Sequence, residues 1–167
     1  MPSDETPPAA VPTPPGREGV PGAGDDPWAR PEGVDDATVE ATGTLSEALE
    51  WVERARGHLY EFHQLMGHAD TTFGEAVDEL RAAGHDDEAD LIATEVVGRN
   101  VLYGRWTFQV VEEFDAGYHR PVTDVERRVR EALVGGRRHV YEAEMKDGRR
   151  SAGRPHHERR PTDPPAS

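Results

Sequence analysis

The chain has 167 residues, enough for one domain of ordinary size, and it contains no cysteine. This composition excludes a disulfide-stapled scaffold, a cysteine-based zinc site and a thiol nucleophile. The net charge of −14 argues against binding to a phosphate backbone, so nucleic acid is not expected as a partner.

Apolar runs are only two or three residues long, and the first ten residues lack the basic and apolar stretches of a signal peptide. We therefore expect no membrane span and a cytoplasmic location. Lys146 is the only lysine among the 19 basic residues, which is typical of a GC-rich genome. The excess of carboxylates fits equally well with adaptation to concentrated salt.

The predicted elements begin after a long polar segment. Residues 1–43 hold nine of the 14 prolines and carry a charge of −7. Such a segment buries too little apolar surface to offset the entropy of ordering, so we predict a disordered acidic tail.

A first helix is predicted from Thr44, which has capping-box spacing to Glu47, to about Gly67. Its apolar residues recur at helical spacing along one face: Leu45, Leu49, Val52, Leu59, Phe62 and Met66. A short second helix is predicted over 71–83, with Gly84 as its left-handed C-terminal stop.

The third predicted helix, over 87–117, is apolar nearly all round and is therefore expected at the centre of the fold. Gly98 and Gly104 would mark kinks or close packing within it. A fourth helix is predicted over 122–147, with a kink or a point of close approach at Gly135 and Gly136. The pattern predicts an all-α protein in which residues 44–147 form an antiparallel bundle of about four helices. Residues 148–167 would form a disordered Arg-rich tail.

Polar residues on faces that should be buried supply the candidate site. Arg56 and His63 project along the middle of the first apolar stripe, and Arg99 has Glu95 one turn away. Because buried charges must be paired, we expect either an ionic network that fixes helix register or a small pocket for an anion. The candidate ligand-binding residues are Arg56, His63, Glu95, Arg99, Tyr103 and Trp106.

Signals for catalysis and for metal binding are weak. His58 and Glu61 have the spacing of a di-iron pair in reversed order, and the helical pattern places Glu61 in solvent. The chain has no nucleophile elbow, P-loop or dinucleotide fingerprint. No cofactor follows from the residues, and the metal ligands of the alternative site stay unassigned.

Three segments carry a resemblance: ARGHLYEFHQ (55–64), VGRNVLYGRWTFQVVEEFDAGYH (97–119) and VGGRRHVYEAEMK (134–146). They resemble small all-helical proteins of unknown function from salt-adapted or GC-rich prokaryotes, which implies a helical fold and no particular activity. We therefore expect a non-enzymatic scaffold or interaction module that binds another protein or a second copy of itself. The alternative is a helical bundle with a small buried anion or metal site, which could be catalytic.

Overall fold

The computed structural model describes residues 26–160, and the predicted all-α fold is confirmed for them. This part of the chain contains no strand, only an isolated two-residue bridge between Leu102 and Arg105. The helices are α1 (Asp36–Ala82), α2 (Asp86–Glu95), α3 (Thr107–Phe114), α4 (Arg120–Val134) and α5 (Val140–Arg149). A π-helical turn, Asp115–His119, joins α3 to α4 without a break, which gives four continuous helical segments over residues 26–160.

Helix α1 replaces the first two predicted helices. It starts at Asp36 instead of Thr44 and continues through Gly67, so the predicted end at Gly67 is wrong. Gly67 does not have a positive φ, and the Thr71 hydroxyl donates a hydrogen bond of 3.1 Å to the Gly67 carbonyl. A glycine that keeps helical φ costs only about 1 kcal/mol relative to alanine, so it does not end a helix by itself.

The predicted stop at Gly84 is confirmed. Gly84 has a φ of +84°, and its N–H donates to the Arg81 carbonyl at 3.1 Å. The next N–H, that of His85, donates to the Leu80 carbonyl at 2.9 Å. These two bonds form a Schellman motif, which satisfies the last carbonyls of α1 and turns the chain into α2.

The long central helix predicted over 87–117 is wrong. Helix α2 ends at Glu95, the backbone is non-helical up to Trp106, and α3 begins at Thr107. Gly98 and Gly104 have φ values of +74° and +68°, so they interrupt the helix instead of kinking it. The apolar residues assigned to this one helix therefore lie in α2, in α3 and in the segment between them.

The fourth predicted helix also has different limits. It continues from α3 through Pro121, and the π turn immediately before Pro121 provides a wider turn where a proline ring would clash in an α-helix. At the other end Gly135 and Gly136 have φ values of +61° and +76°, so the predicted kink is a break between α4 and α5.

The chain divides into two compact units. Of the described residues, the first comprises 26–44 and 129–160. In it Arg30 donates two hydrogen bonds of 2.7 Å to Glu144. A Cβ added to Gly43 would lie 3.2 Å from Cβ of Tyr141, so α1 and α5 approach closely there.

Defined structure extends into parts of both predicted tails. The predicted boundary at residue 43 falls inside α1, and Trp28 is half-buried in the segment that precedes it. Helix α5 continues to Arg149, beyond the predicted start of the second tail at 148, and residues 150–160 form turns. The rest of the two predicted tails, 1–25 and 161–167, lies outside the described residues.

The second unit, residues 45–128, contains most of α1 together with α2, α3, the π turn and the first part of α4. Its buried apolar residues are Val77, Ala89 and Val111. Between residues 26 and 160 no helix is both long and apolar enough to cross a membrane.

Candidate functional site: the two stripes of α1

Within the second unit, α1 pairs with the segment that returns beside it, residues 86–128, here called the return segment. Residues later in α1 contact residues earlier in the return segment. From one end of α1 to the other, the hydrogen-bonded or ion-paired residues are Ser46–Glu126, Glu53–His119, Arg56–Asp115, His63–Thr107, Asp70–Gly98 and Arg81–Asp90. The unit is therefore an antiparallel helical hairpin with a defined register.

The face of α1 that meets the return segment repeats every three and four residues. This inner stripe consists of Leu45, Leu49, Val52, Arg56, Leu59, His63, Met66, Asp70, Phe73, Val77 and Leu80. All of its members except Phe73 are at least half-buried. The spacing is that of the apolar seam of a coiled coil, in which two helices pack along a 3.5-residue repeat.

Three members of the inner stripe are polar, and they lie seven residues apart. Arg56 donates from Nε and from Nη2 to the two carboxylate oxygens of Asp115, at 2.7 and 2.8 Å. His63 Nδ1 and Thr107 Oγ1 are joined by a hydrogen bond of 2.7 Å. Polar residues in such a seam specify register, because any slip along the helix would leave them unpaired.

The third polar member, Asp70, acts on the backbone of the return segment. Its Oδ1 accepts a hydrogen bond of 2.7 Å from the N–H of Gly98, just after α2. Gly98 is one of the left-handed residues that interrupt the predicted long helix. Asp70 therefore holds the break in the return segment at one position along α1.

A small ionic network surrounds Arg56 at the π turn. His119 Nε2 and Glu53 Oε1 are joined by a hydrogen bond of 2.7 Å, and the Arg56 guanidinium lies 5.0 Å from the centre of the Tyr60 ring. The hydrogen bonds from Arg56 lower the pKa of Asp115, and Asp115 in turn raises the pKa of Arg56. Asp115 is thus ionised with both oxygens engaged, which makes it a poor proton acceptor and a good positioning group.

The structure does not assemble the six candidate residues into one cluster. Arg56 and His63 share the inner stripe, but each contacts a different residue of the return segment. Tyr103 is fully exposed in the segment between α2 and α3, and Trp106 is half-buried directly before α3.

The predicted buried pair of Glu95 and Arg99 is wrong. Both side chains are exposed, their closest charged atoms are 3.8 Å apart, and Arg99 donates to the Glu95 carbonyl at 3.2 Å. The prediction assumed a helix that continued through Gly98, whereas α2 ends at Glu95. Glu113, another carboxylate near the end of the predicted helix, pairs with Arg105 and not with Arg56.

Sequence reasoning missed Asp70, a member of the inner stripe, and Asp115, the residue that binds Arg56. Asp115 follows Glu112 and Glu113 in a charge run that is typical of a solvated face. The seven-residue spacing of Arg56, His63 and Asp70 is nevertheless a visible signal, because a polar residue that recurs with the heptad lies on the seam each time.

A second stripe of α1 lies about 100° around the helix from the inner stripe, at 100° per residue. This outer stripe has the same spacing and consists of Ala48, Trp51, Ala55, His58, Phe62, Leu65, Ala69, Thr72 and Ala76. Trp51 and Leu65 are each 60% exposed, and Phe62, which the sequence analysis placed on the packed face, is 39% exposed. Beyond the outer stripe the surface becomes charged, and Arg54 lies 4.7 Å from the centre of the Trp51 ring.

Comparisons of the chain with protein-family models, with curated proteins and with solved structures found no match. The resemblance to helical proteins of salt-adapted or GC-rich prokaryotes therefore stays a prediction from the sequence.

Proposed function

We propose that the chain is a non-enzymatic protein-interaction module, and that the outer stripe of α1 is the surface it presents to another protein chain. The observation that carries this proposal is the exposure of Trp51 and Leu65 on a helix that already packs its inner stripe within its own unit. A helix with a second apolar stripe at heptad spacing offers that stripe to another helix.

The size of the exposed surface supports this function. An aromatic side chain presents about 150–250 Å² when fully accessible, so Trp51, Phe62 and Leu65 together expose roughly 300 Å². This exposed apolar surface, gathered on one stripe, is comparable in area to the largest apolar patch of a typical monomer, about 300–600 Å², which is often functional.

The alternative, a buried anion or metal site, has less support. Arg56 and His63 have partners within the chain, and Arg99 is exposed near the end of α2. An anion at Arg56 would have to displace Asp115 from a two-bond ion pair.

Site-specific photo-crosslinking tests the proposed function. A photoreactive amino acid at position 65, on the outer stripe, should give a discrete adduct with a protein chain in cells that naturally express this protein. The same probe at position 64 should not, because Gln64 is exposed on the polar side of α1. Absence of an adduct at position 65, or equal adducts at both positions, would contradict the proposal.

A further inference from the structure

We infer that the occupant of the outer stripe is a second copy of this chain, with the two α1 helices antiparallel. The inference rests on the proposed function and adds the identity of the partner. It follows from the order of large, small and charged residues along and beside the outer stripe.

The outer stripe is complementary to itself when reversed. In an antiparallel pair centred between Phe62 and Leu65, each of these residues lies opposite the other across a two-fold axis. The same register places Trp51 opposite Ala76 of the second copy, so the largest side chain of the stripe meets one of the smallest. Alternation of large and small residues across facing positions is what close packing requires, and a two-fold pair uses one patch twice.

Four titratable residues line the edge of the outer stripe that faces away from the inner stripe. This charged rim consists of Arg54, Glu61, His68 and Glu75, again at seven-residue intervals. In the antiparallel register, Arg54 faces Glu75 of the second copy, and Glu61 faces His68. Because of the two-fold axis each contact occurs twice, so two Arg54–Glu75 pairs and two Glu61–His68 pairs flank the apolar contact.

A parallel pair has no such complementarity. It would set each residue of the charged rim against inner-stripe positions such as Val52 and Leu59, which already pack within the hairpin. The charges therefore select both the partner and its direction, as charged residues flanking a coiled-coil seam do.

Sedimentation equilibrium of the full chain measures the association. We expect a concentration-dependent species of twice the 18.4 kDa chain mass. Leu65→Glu should weaken dimerisation by more than about tenfold, because it places a charge beside Phe62 of the second copy. Gln64→Glu adds the same charge at the neighbouring exposed position and should leave the dimer intact. Helical circular dichroism of both variants checks that they fold.

A charge exchange tests the register. Arg54→Glu and Glu75→Arg should each weaken the dimer about fivefold, since each sets like charges against each other twice. The double variant Arg54→Glu/Glu75→Arg should recover the affinity of the parent. If both single variants and the double variant weaken association to the same extent, or if Leu65→Glu stays dimeric, the inference is wrong.

The crosslinking experiment separates the two proposals. An adduct at position 65 with twice the chain mass supports both proposals. A monomeric parent protein that gives an adduct with a different protein overturns self-association and leaves the interaction function standing. A monomeric parent without an adduct overturns both.

Discussion

The inner and outer stripes of α1 have the same spacing but different compositions. The inner stripe includes Arg56, His63 and Asp70, each bound to a residue of the return segment, whereas the outer stripe exposes Trp51 and Leu65. Polar groups are found where the chain provides its own partner, because an unpaired polar group on a packed face is costly. The inner stripe thus fixes the register of the hairpin, whereas the outer stripe leaves large apolar side chains exposed.

The largest expected difference in stability comes from two variants, each of which places one carboxylate on one of the two stripes. Val77 is 5% exposed on the inner stripe, so Val77→Glu buries a charge without a partner and should cost about 3 kcal/mol or more. Leu65→Glu, at an exposed position, should leave the free energy of unfolding of the monomer nearly unchanged. Chemical denaturation at protein concentrations too low for dimers measures both. Equal losses would show that the two stripes are not packed differently.

The Arg56–Asp115 ion pair should behave as a coupled unit. Arg56→Met leaves Asp115 without its two-bond partner and should lower the midpoint of thermal unfolding. The double variant Arg56→Met/Asp115→Leu should lose less than the sum of the two single variants. A purely additive result would mean that the pair does not hold the register of the inner stripe.

Acid should weaken the hairpin through the same ion pair. Arg56 lowers the pKa of Asp115 in the folded state, so the unfolded state, with a carboxyl pKa of about 3.9, takes up its proton first as pH falls. The stabilisation is fully present above that value and is lost as pH falls through the lowered folded pKa. Asp115→Asn should therefore lose less stability than the parent below about pH 4. Parallel stability curves of the two proteins would contradict this role of Asp115.

The smallest effects concern two glycines, Gly67 within α1 and Gly84 just after its end. Gly67 is helical, and a Cβ added to it would meet open space, so Gly67→Ala should stabilise by about 0.5–1 kcal/mol. Gly84 has a φ of +84°, so Gly84→Ala should instead destabilise by about 1 kcal/mol. Thermal unfolding of the two variants should shift in opposite directions, and shifts of the same sign would place an interruption at Gly67 after all.

The sequence was sufficient to predict the helical class, the stop at Gly84 and the placement of Arg56 and His63 on a packed face. It was insufficient at Gly67 and Gly98, because a glycine accepts helical and left-handed φ almost equally and tertiary contacts decide between them. Gly98 is left-handed and donates its N–H to Asp70, which lies 28 residues away.

The dependence of glycine conformation on tertiary contacts also explains the errors at the candidate site. The partner of Arg56 depends on the register of the return segment, which is set by the break at Gly98 and by the π turn. Neither feature has a local sequence pattern strong enough to place it. Once the predicted helix over 87–117 is divided, Arg99 moves to the surface, and Asp115 becomes the residue that faces Arg56.

Distances between spin labels test the antiparallel dimer most directly, and the absence of native cysteine makes single labels simple to introduce. Labels on Gln64→Cys and Asp78→Cys should leave the outer stripe free. At 1.5 Å per helical residue, the two labels of the position-64 dimer should be within about 35 Å of each other, and those at position 78 roughly 45–55 Å apart. Similar short distances at both positions would indicate a parallel pair, and no distance at either position would indicate a monomer; either result would contradict the account.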